Sequence, residues 1–345
     1  MRRFLTALVL VLAVYLIYSR FAEAQKVVQT LQQGHFLWLI LATLTQLVWL
    51  ANLALTYRYV YRLLGMESTL GQLLPLVATS NFVNVAAPSA GVGGVAVFVY
   101  DARRRGLPSA RVTVAGALFL LFDYIGFLCI LALGFVVLLR RNRLDPGSLS
   151  AAGILLLLAV GLGSLLLLGA RSADALARVL VRGARFINRL LFLFIRRDYL
   201  SEARAYSFAS EVAEGLCALR ANWRAYVTPG ILTLLGKVLL IGVLASTFMA
   251  FRQPFSPGTL IAGFSISYLF LIVSPTPAGL GFVEGIMPLT FMALGVPRAS
   301  AVLITLAYRG LTFWLPFGYG FIAFRFWHRR GGTPNHNHPP NGRLS

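Results

Sequence analysis

The sequence predicts an all-α polytopic membrane protein, with about six full spans and two Pro/Gly-broken re-entrant hairpins related as an inverted repeat. Three observations carry this. Hydrophobic residues make up 58% of the 345 and charged residues only 12%, with a mean hydropathy of +0.76, against about a quarter charged in a soluble domain. Apolar runs recur along nearly the whole length, and in a bilayer only a helix satisfies the backbone of such a run internally. Two further apolar stretches are interrupted by Pro and Gly at matching places.

Taken in order, the first run is Leu5 to Tyr18, after Arg2 and Arg3 and before Ala22-Glu23-Ala24. That pattern fits a signal peptide with an A-x-A site and also an uncleaved first helix with the N-terminus inside. Both readings give the same orientation to all the later spans. Full spans are expected at about 36–56, 112–139, 150–170, 227–250 and 299–327. The broken stretches lie at about 72–100 and 259–294.

The first break reads Asn84-Val85-Ala86-Ala87-Pro88-Ser89-Ala90-Gly91-Val92-Gly93-Gly94, and the second Ser274-Pro275-Thr276-Pro277-Ala278-Gly279-Leu280-Gly281. The Ala-Gly-x-Gly of residues 90–93 recurs at an offset of 188, and Gly106 and Pro108 recur as Gly295 and Pro297 at an offset of 189. Two matches in order indicate an internal duplication. Pro removes a helix donor and Gly accepts positive φ, so each stretch should divide into two half-helices. The arm Val95–Tyr100 spans about 9 Å of helix, far less than a ~30 Å hydrocarbon core. Each stretch therefore reads as a hairpin that enters and leaves on one side.

The chain then divides into a first membrane half (1–170), a basic amphipathic cytoplasmic segment (171–226), a second membrane half (227–327) and a disordered tail (328–345). In the middle segment Arg178, Arg182, Arg185, Arg189 and Arg196 fall within about 60° of helical arc. This face suits lipid phosphates, and equally the solvated face of a cytosolic hairpin. The tail is rich in Pro, Asn and Gly, and its His336 and His338 are not read as a metal site.

Lys plus Arg number 31 against 11 Asp plus Glu, a net charge of +20. The cations cluster between apolar runs, so they report topology and anionic headgroups, and no nucleic-acid partner is expected. With the N-terminus inside, 22 Lys and Arg face the cytoplasm and 7 the other side. This predicts a cytoplasmic (inner) membrane protein with both termini cytoplasmic. The first hairpin then enters from the cytoplasm and the second from the opposite side, as in inverted-repeat transporters. Cys129 and Cys217 offer no disulfide framework or metal spacing.

Four ionisable residues interrupt the apolar runs: Asp123, Lys237, Glu284 and Arg309. Lone charges at mid-bilayer cost about 2.5–3.5 kcal/mol each on insertion scales, so these four must pair or meet water. Glu284 and Arg309 are expected to face one cavity, with Asp123 at a similar depth in the other half. Arg309 and Lys237 would hold a phosphate-bearing headgroup, with Glu284 and Asp123 balancing them or contacting a cationic part of the ligand. The alternative is a set of buried ion pairs that fix helix packing. Asn81, Asn84, Ser89, Ser274 and Thr276 are candidates for headgroup hydrogen bonds or, individually, for helix-end capping. Half-helix N-termini after Gly94 and Gly281 would add free N–H groups for an anion.

The run Pro275 to Glu284, followed by Gly295-Val296-Pro297, Tyr308-Arg309 and Thr312-Phe313-Trp314-Leu315-Pro316, resembles the membrane domain of lysylphosphatidylglycerol synthases, which also occurs alone in flippase-like proteins. The resemblance covers roughly 5–327. Pro277, Gly279, Gly281, Glu284 and Arg309 match the family motif, and Ala278 replaces its first Gly. In the synthases this domain moves the aminoacylated lipid between leaflets while a separate soluble domain makes it. No such domain is expected here, so the resemblance implies translocation and not synthesis.

The leading expectation is a flippase or transporter that moves an anionic or aminoacylated lipid between leaflets. Its substrate-binding candidates are Arg309, Glu284, Asp123, Lys237, Pro277, Gly279, Gly281, Gly91, Gly93 and Asn84. No cofactor is expected. The sequence has no G-x-x-x-x-G-K-[ST] loop, so a driving force would come from an ion gradient, a partner or the lipid gradient. The alternatives are a lipid-binding scaffold for envelope-lipid biosynthetic enzymes, and a membrane enzyme acting on a lipid-linked phosphate or sugar. The second lacks the acid, base and metal clusters such chemistry uses. Its only histidines are His35, His328, His336 and His338.

Overall fold

A computed structural model of the chain describes residues 25–86, 92–142, 146–172, 226–274 and 276–330, with a few positions between 175 and 182. Every element among them is helical. α1 covers 25–33, α2 Phe36–Leu63, α3 Leu70–Ala86, α4 Val92–Arg104, α5 Ser109–Arg140 and α6 Pro146–Arg171. α7 covers Val227–Ala250, α8 Pro257–Val273, α9 Phe282–Ala293, α10 Arg298–Arg309 and α11 Leu315–Arg330. Among these residues five helices are long and apolar enough to cross a membrane: α2, α5, α6, α7 and the continuous run Arg298–Phe326. The sixth expected span, Leu5 to Tyr18, lies outside the described residues, as do most of 171–226 and the tail.

Both broken stretches form helical pairs, α3 with α4 and α8 with α9. Their 17- and 13-residue and 17- and 12-residue helices measure about 18–26 Å at 1.5 Å per residue, each short of a ~30 Å core. The expected bounds need correction in the first pair. α4 begins at Val92 and runs to Arg104, so the arm is about twice the length of Val95–Tyr100 and Gly94 lies inside its first turn, not before it. The reason is packing. Gly94 has no Cβ, and one placed there would come within 2.4 Å of Ser80 Oγ and Asn84 Nδ2, so the glycine lets α3 and α4 approach closely instead of breaking the helix.

The duplication extends to the chain reversals. α4 ends with Gly106 at φ +67° and Leu107 N–H donating to the Ala102 carbonyl; α9 ends with Gly295 at φ +92° and Val296 N–H donating to Phe291, both at 2.9 Å. Each is a left-handed helix stop followed by a proline that opens the next helix. α2 and α7 also end alike. Gly65 (φ +69°) precedes the Met66 N–H bond to Tyr61, and Arg252 (φ +53°) precedes the Gln253 N–H bond to Phe248.

α2 and α7 are thus equivalent helices, and they pack side by side in opposite directions. His35 N–H donates to Ala250 O at one end (2.8 Å), and Asn52 Nδ2 donates to Leu232 O towards the other (2.9 Å). Equivalent elements running antiparallel make the two halves an inverted pair. α8 lies antiparallel on α5, through Ser265 Oγ to Ile130 O and Arg141 Nη2 to Ser256 Oγ, and α3 packs correspondingly on α11.

The last span contains a π-helical turn, Gly310–Trp314. Pro316 two residues on lacks the N–H that would continue regular helical bonding, and such wide turns re-aim side chains. Gly310 faces Val27 and Leu31 of α1, where a Cβ would come within 2.6 Å of Val27.

Candidate functional site

A cavity of about 250 Å³ lies between the two halves. Its walls include Trp49 and Tyr57 of α2, Asn81 and Asn84 of α3, Asp123 of α5, Tyr268 of α8, Ala278 of the second break, Arg309 of α10, and Thr312 and Phe313 of the π turn. Both hairpins and both long helices that succeed them contribute.

Arg309 closes the second break. Its Nε donates to Glu284 Oε1 at 2.5 Å and its Nη2 to the Ala278 carbonyl at 3.1 Å, while its guanidinium lies over the Phe313 ring. Glu284 Oε2 accepts the Gly281 N–H at 2.7 Å, so the same carboxylate caps the start of α9. The break itself is a single 3-10 turn, Pro277–Gly279. Gly279 and Gly281 adopt φ +70° and +79°, and Ala278 between Pro277 and Gly279 adopts φ +49°. A side chain on Gly279 would press on Leu271 Cα at 3.1 Å. Ala278 therefore adopts a backbone that costs an L-residue about 1–2 kcal/mol, with its carbonyl held by Arg309.

Asp123 closes a second polar contact, this one between the halves. Lys237 Nζ donates to Asp123 Oδ1 at 2.6 Å and to Tyr268 OH at 2.7 Å. Both cationic side chains are 3% exposed and both acidic ones 18%. Each buried cation has a carboxylate partner, the arrangement that offsets desolvation at membrane depth.

Asp123, Arg309 and Asn84 line the cavity, while Lys237 and Glu284 sit directly behind as partners of lining residues. Gly93 lies in the first turn of α4, and Pro277 opens the 3-10 turn. Gly91 and Ser89 are outside the described residues. The small polar groups mainly serve the backbone. Asn84 Oδ1 accepts the Gly94 N–H at 2.6 Å, Ser274 Oγ accepts the Thr276 N–H, and Thr276 Oγ1 donates to Leu280 O.

Sequence reasoning missed Tyr268, Gln46 and Tyr319. The amide of Gln46, Asn81 Nδ2 and the Tyr319 hydroxyl are buried on α2, α3 and α11, with Gln46 and Asn81 directed at Tyr319 but outside hydrogen-bond geometry. Their helices are the counterparts of α7, α8 and α5, which carry Lys237, Tyr268 and Asp123. One seam between the halves holds a charged cluster where the equivalent seam holds a neutral one. The signal that could have found them is any polar interruption of an apolar run, neutral residues included, and not ionisable residues alone.

Fold and site together define a polytopic helical membrane protein with an internal inverted duplication around a polar, charge-paired cavity. The chain belongs to the family described as the lysylphosphatidylglycerol synthase TM region, whose model matches residues 4–320. It is also similar to a UPF0104 membrane protein of Methanocaldococcus jannaschii, 23% identical over 311 residues that cover 86% of this chain and 87% of the relative.

Proposed function

We propose that the protein is a flippase that moves an anionic lipid between the leaflets of a cytoplasmic membrane, both termini facing the cytoplasm. The headgroup occupies the cavity between the halves while the acyl chains stay in the bilayer, and rocking of one half on the other exposes the cavity to either side. The observation that carries this reading is Arg309. Its Nε and Nη2 are engaged by Glu284 and Ala278, and no hydrogen bond runs from Nη1 to any described residue. A cavity-lining guanidinium with donors to spare suits a phosphate. The surrounding mixture of aromatic walls and a few placed polar groups is what an amphiphile's headgroup needs.

The test is inner-to-outer movement of labelled phosphatidylglycerol in proteoliposomes. Wild type should move it, and Arg309→Gln, which keeps a donor but no charge, should lower the rate at least tenfold. Equal rates in a folded variant would remove Arg309 from the site. No movement by wild type would reject the reading for phosphodiester lipids.

A further inference from the structure

The pair that joins the two halves differs from the pair within one half. Asp123 stands on α5 of the first half, whereas Lys237 and Tyr268 stand on α7 and α8 of the second. Glu284 and Arg309 both belong to the second half. Rocking of the halves must therefore strain the Asp123–Lys237 contact and can leave Glu284–Arg309 intact.

With all four groups ionised, the cavity and its immediate backing hold two cations and two anions. A phosphodiester headgroup adds one negative charge, and an uncompensated charge in a low-dielectric site is costly. One proton restores neutrality. Glu284 is unsuited to take it, because both its oxygens are engaged, one by Arg309 and one as the cap of α9. Asp123 lines the cavity, and its partner Lys237, a cation, lies directly behind it. The titratable groups facing Asp123 are Lys237 from α7, Tyr268 from α8, Tyr57 from α2 and its neighbour Tyr124. The tyrosines are uncharged near neutral pH, so among these groups Lys237 is the cation in contact with Asp123.

Resting on the flippase reading, we propose that Asp123 and Lys237 form a proton-coupling site, in which Asp123 binds one proton as an anionic headgroup enters the cavity and releases it as the headgroup leaves. The proton passes from water in the cavity to the Asp123 carboxylate and ends its ion pair with Lys237. The ammonium, still bonded to the Tyr268 hydroxyl, then pairs with the phosphate. On release the phosphate leaves, Asp123 gives up its proton and the pair re-forms. Coupling is reciprocal, so a proton gradient drives the lipid and a lipid gradient drives protons. The cycle moves one proton with one monoanionic lipid and no net charge.

Purified full-length protein in phosphatidylcholine vesicles carrying a trace of fluorescent phosphatidylglycerol tests this, with a pH difference imposed in either direction and the final distribution of label between leaflets measured. For wild type the label should collect in the leaflet on the higher-pH side, by about tenfold per pH unit, the ratio one-for-one coupling sets. Asp123→Asn should end at the same distribution with and without the pH difference. Because that change leaves Lys237 unpaired, the neutral double variant Asp123→Asn with Lys237→Met serves as the folded comparison, and Asp123→Glu should regain coupling. A wild-type distribution indifferent to pH overturns the coupling and leaves the flippase reading standing, whereas absence of movement by wild type overturns both. Label still concentrated by Asp123→Asn overturns the assignment to Asp123.

Discussion

Arg309 and Glu284 lie 25 residues apart on helices that flank a chain reversal, and their 2.5 Å contact is one side of a closed ring. The ring runs from Arg309 through Glu284 to the Gly281 N–H, back along the 3-10 turn to the Ala278 carbonyl, and returns to Arg309. One guanidinium thus holds the irregular backbone that bounds the cavity. Such backbone is tolerated at membrane depth only where protein or water satisfies it.

Two substitutions of the carboxylate should open the ring to different extents. Glu284→Ala removes the Arg309 partner and the cap of α9 together, and losing one member of a buried pair costs about 3–5 kcal/mol. Glu284→Gln keeps one acceptor oxygen and should cost about half that. Thermal unfolding in detergent, monitored by helical circular dichroism, should order the midpoints wild type, Gln, Ala.

Neighbouring positions at the break should respond in opposite ways. Ala278→Gly relieves a left-handed residue of about 1–2 kcal/mol but gives back roughly 0.5–1 kcal/mol in chain entropy, so it should be neutral or slightly stabilising. Gly279→Ala places a side chain at φ +70° against Val283 and the Leu271 backbone and should cost roughly 2 kcal/mol or more. The same unfolding assay separates them, and a Gly279→Ala protein as stable as wild type would contradict the close approach.

α11 contains its own control. A Cβ on Gly320 would meet the Ala78 carbonyl at 2.6 Å, whereas one on Gly318 meets nothing within 4 Å. Backbone cannot swing aside as a flexible side chain can. Gly320→Ala should therefore destabilise by about 1–3 kcal/mol, and Gly318→Ala should stabilise slightly by removing a helical glycine, about 0.5–1 kcal/mol. Reversal of that order would place the α3–α11 contact elsewhere.

Asn84 ties α3 to the start of α4 through its bond to the Gly94 N–H. Asn84→Ala should cost about 1 kcal/mol, the usual value of a lost helix-start acceptor, and Asn84→Asp, which keeps the oxygen, should cost less. Hydrogen exchange at the Gly94 amide should accelerate in the alanine variant and stay slow in the aspartate one.

Much of the architecture is legible in the sequence because it depends on short stretches of chain. Apolar runs report bilayer crossing, Pro and Gly report backbone breaks, and the repeated Gly-x-Pro at 106–108 and 295–297 reports a duplication that the matching left-handed stops of α4 and α9 display. The start of α4 is not legible in this way, because Gly94, a breaker by composition, is a contact glycine under Ser80 and Asn84. Local composition does not distinguish a glycine that ends a helix from one that admits a neighbour.

The sequence by itself determined which charges lie at membrane depth, since Asp123, Lys237, Glu284 and Arg309 interrupt runs that only lipid and protein can surround. Only the tertiary structure decided their partners. Asp123 is 114 residues from Lys237, and their contact exists because α2 and α7, equivalent helices, lie antiparallel and bring α5 against α7 and α8. Tyr268 and Gln46 acquire meaning in the same way. A residue's type is a property of the chain at one point, whereas a pair between halves depends on packing of the whole, which no local pattern encodes.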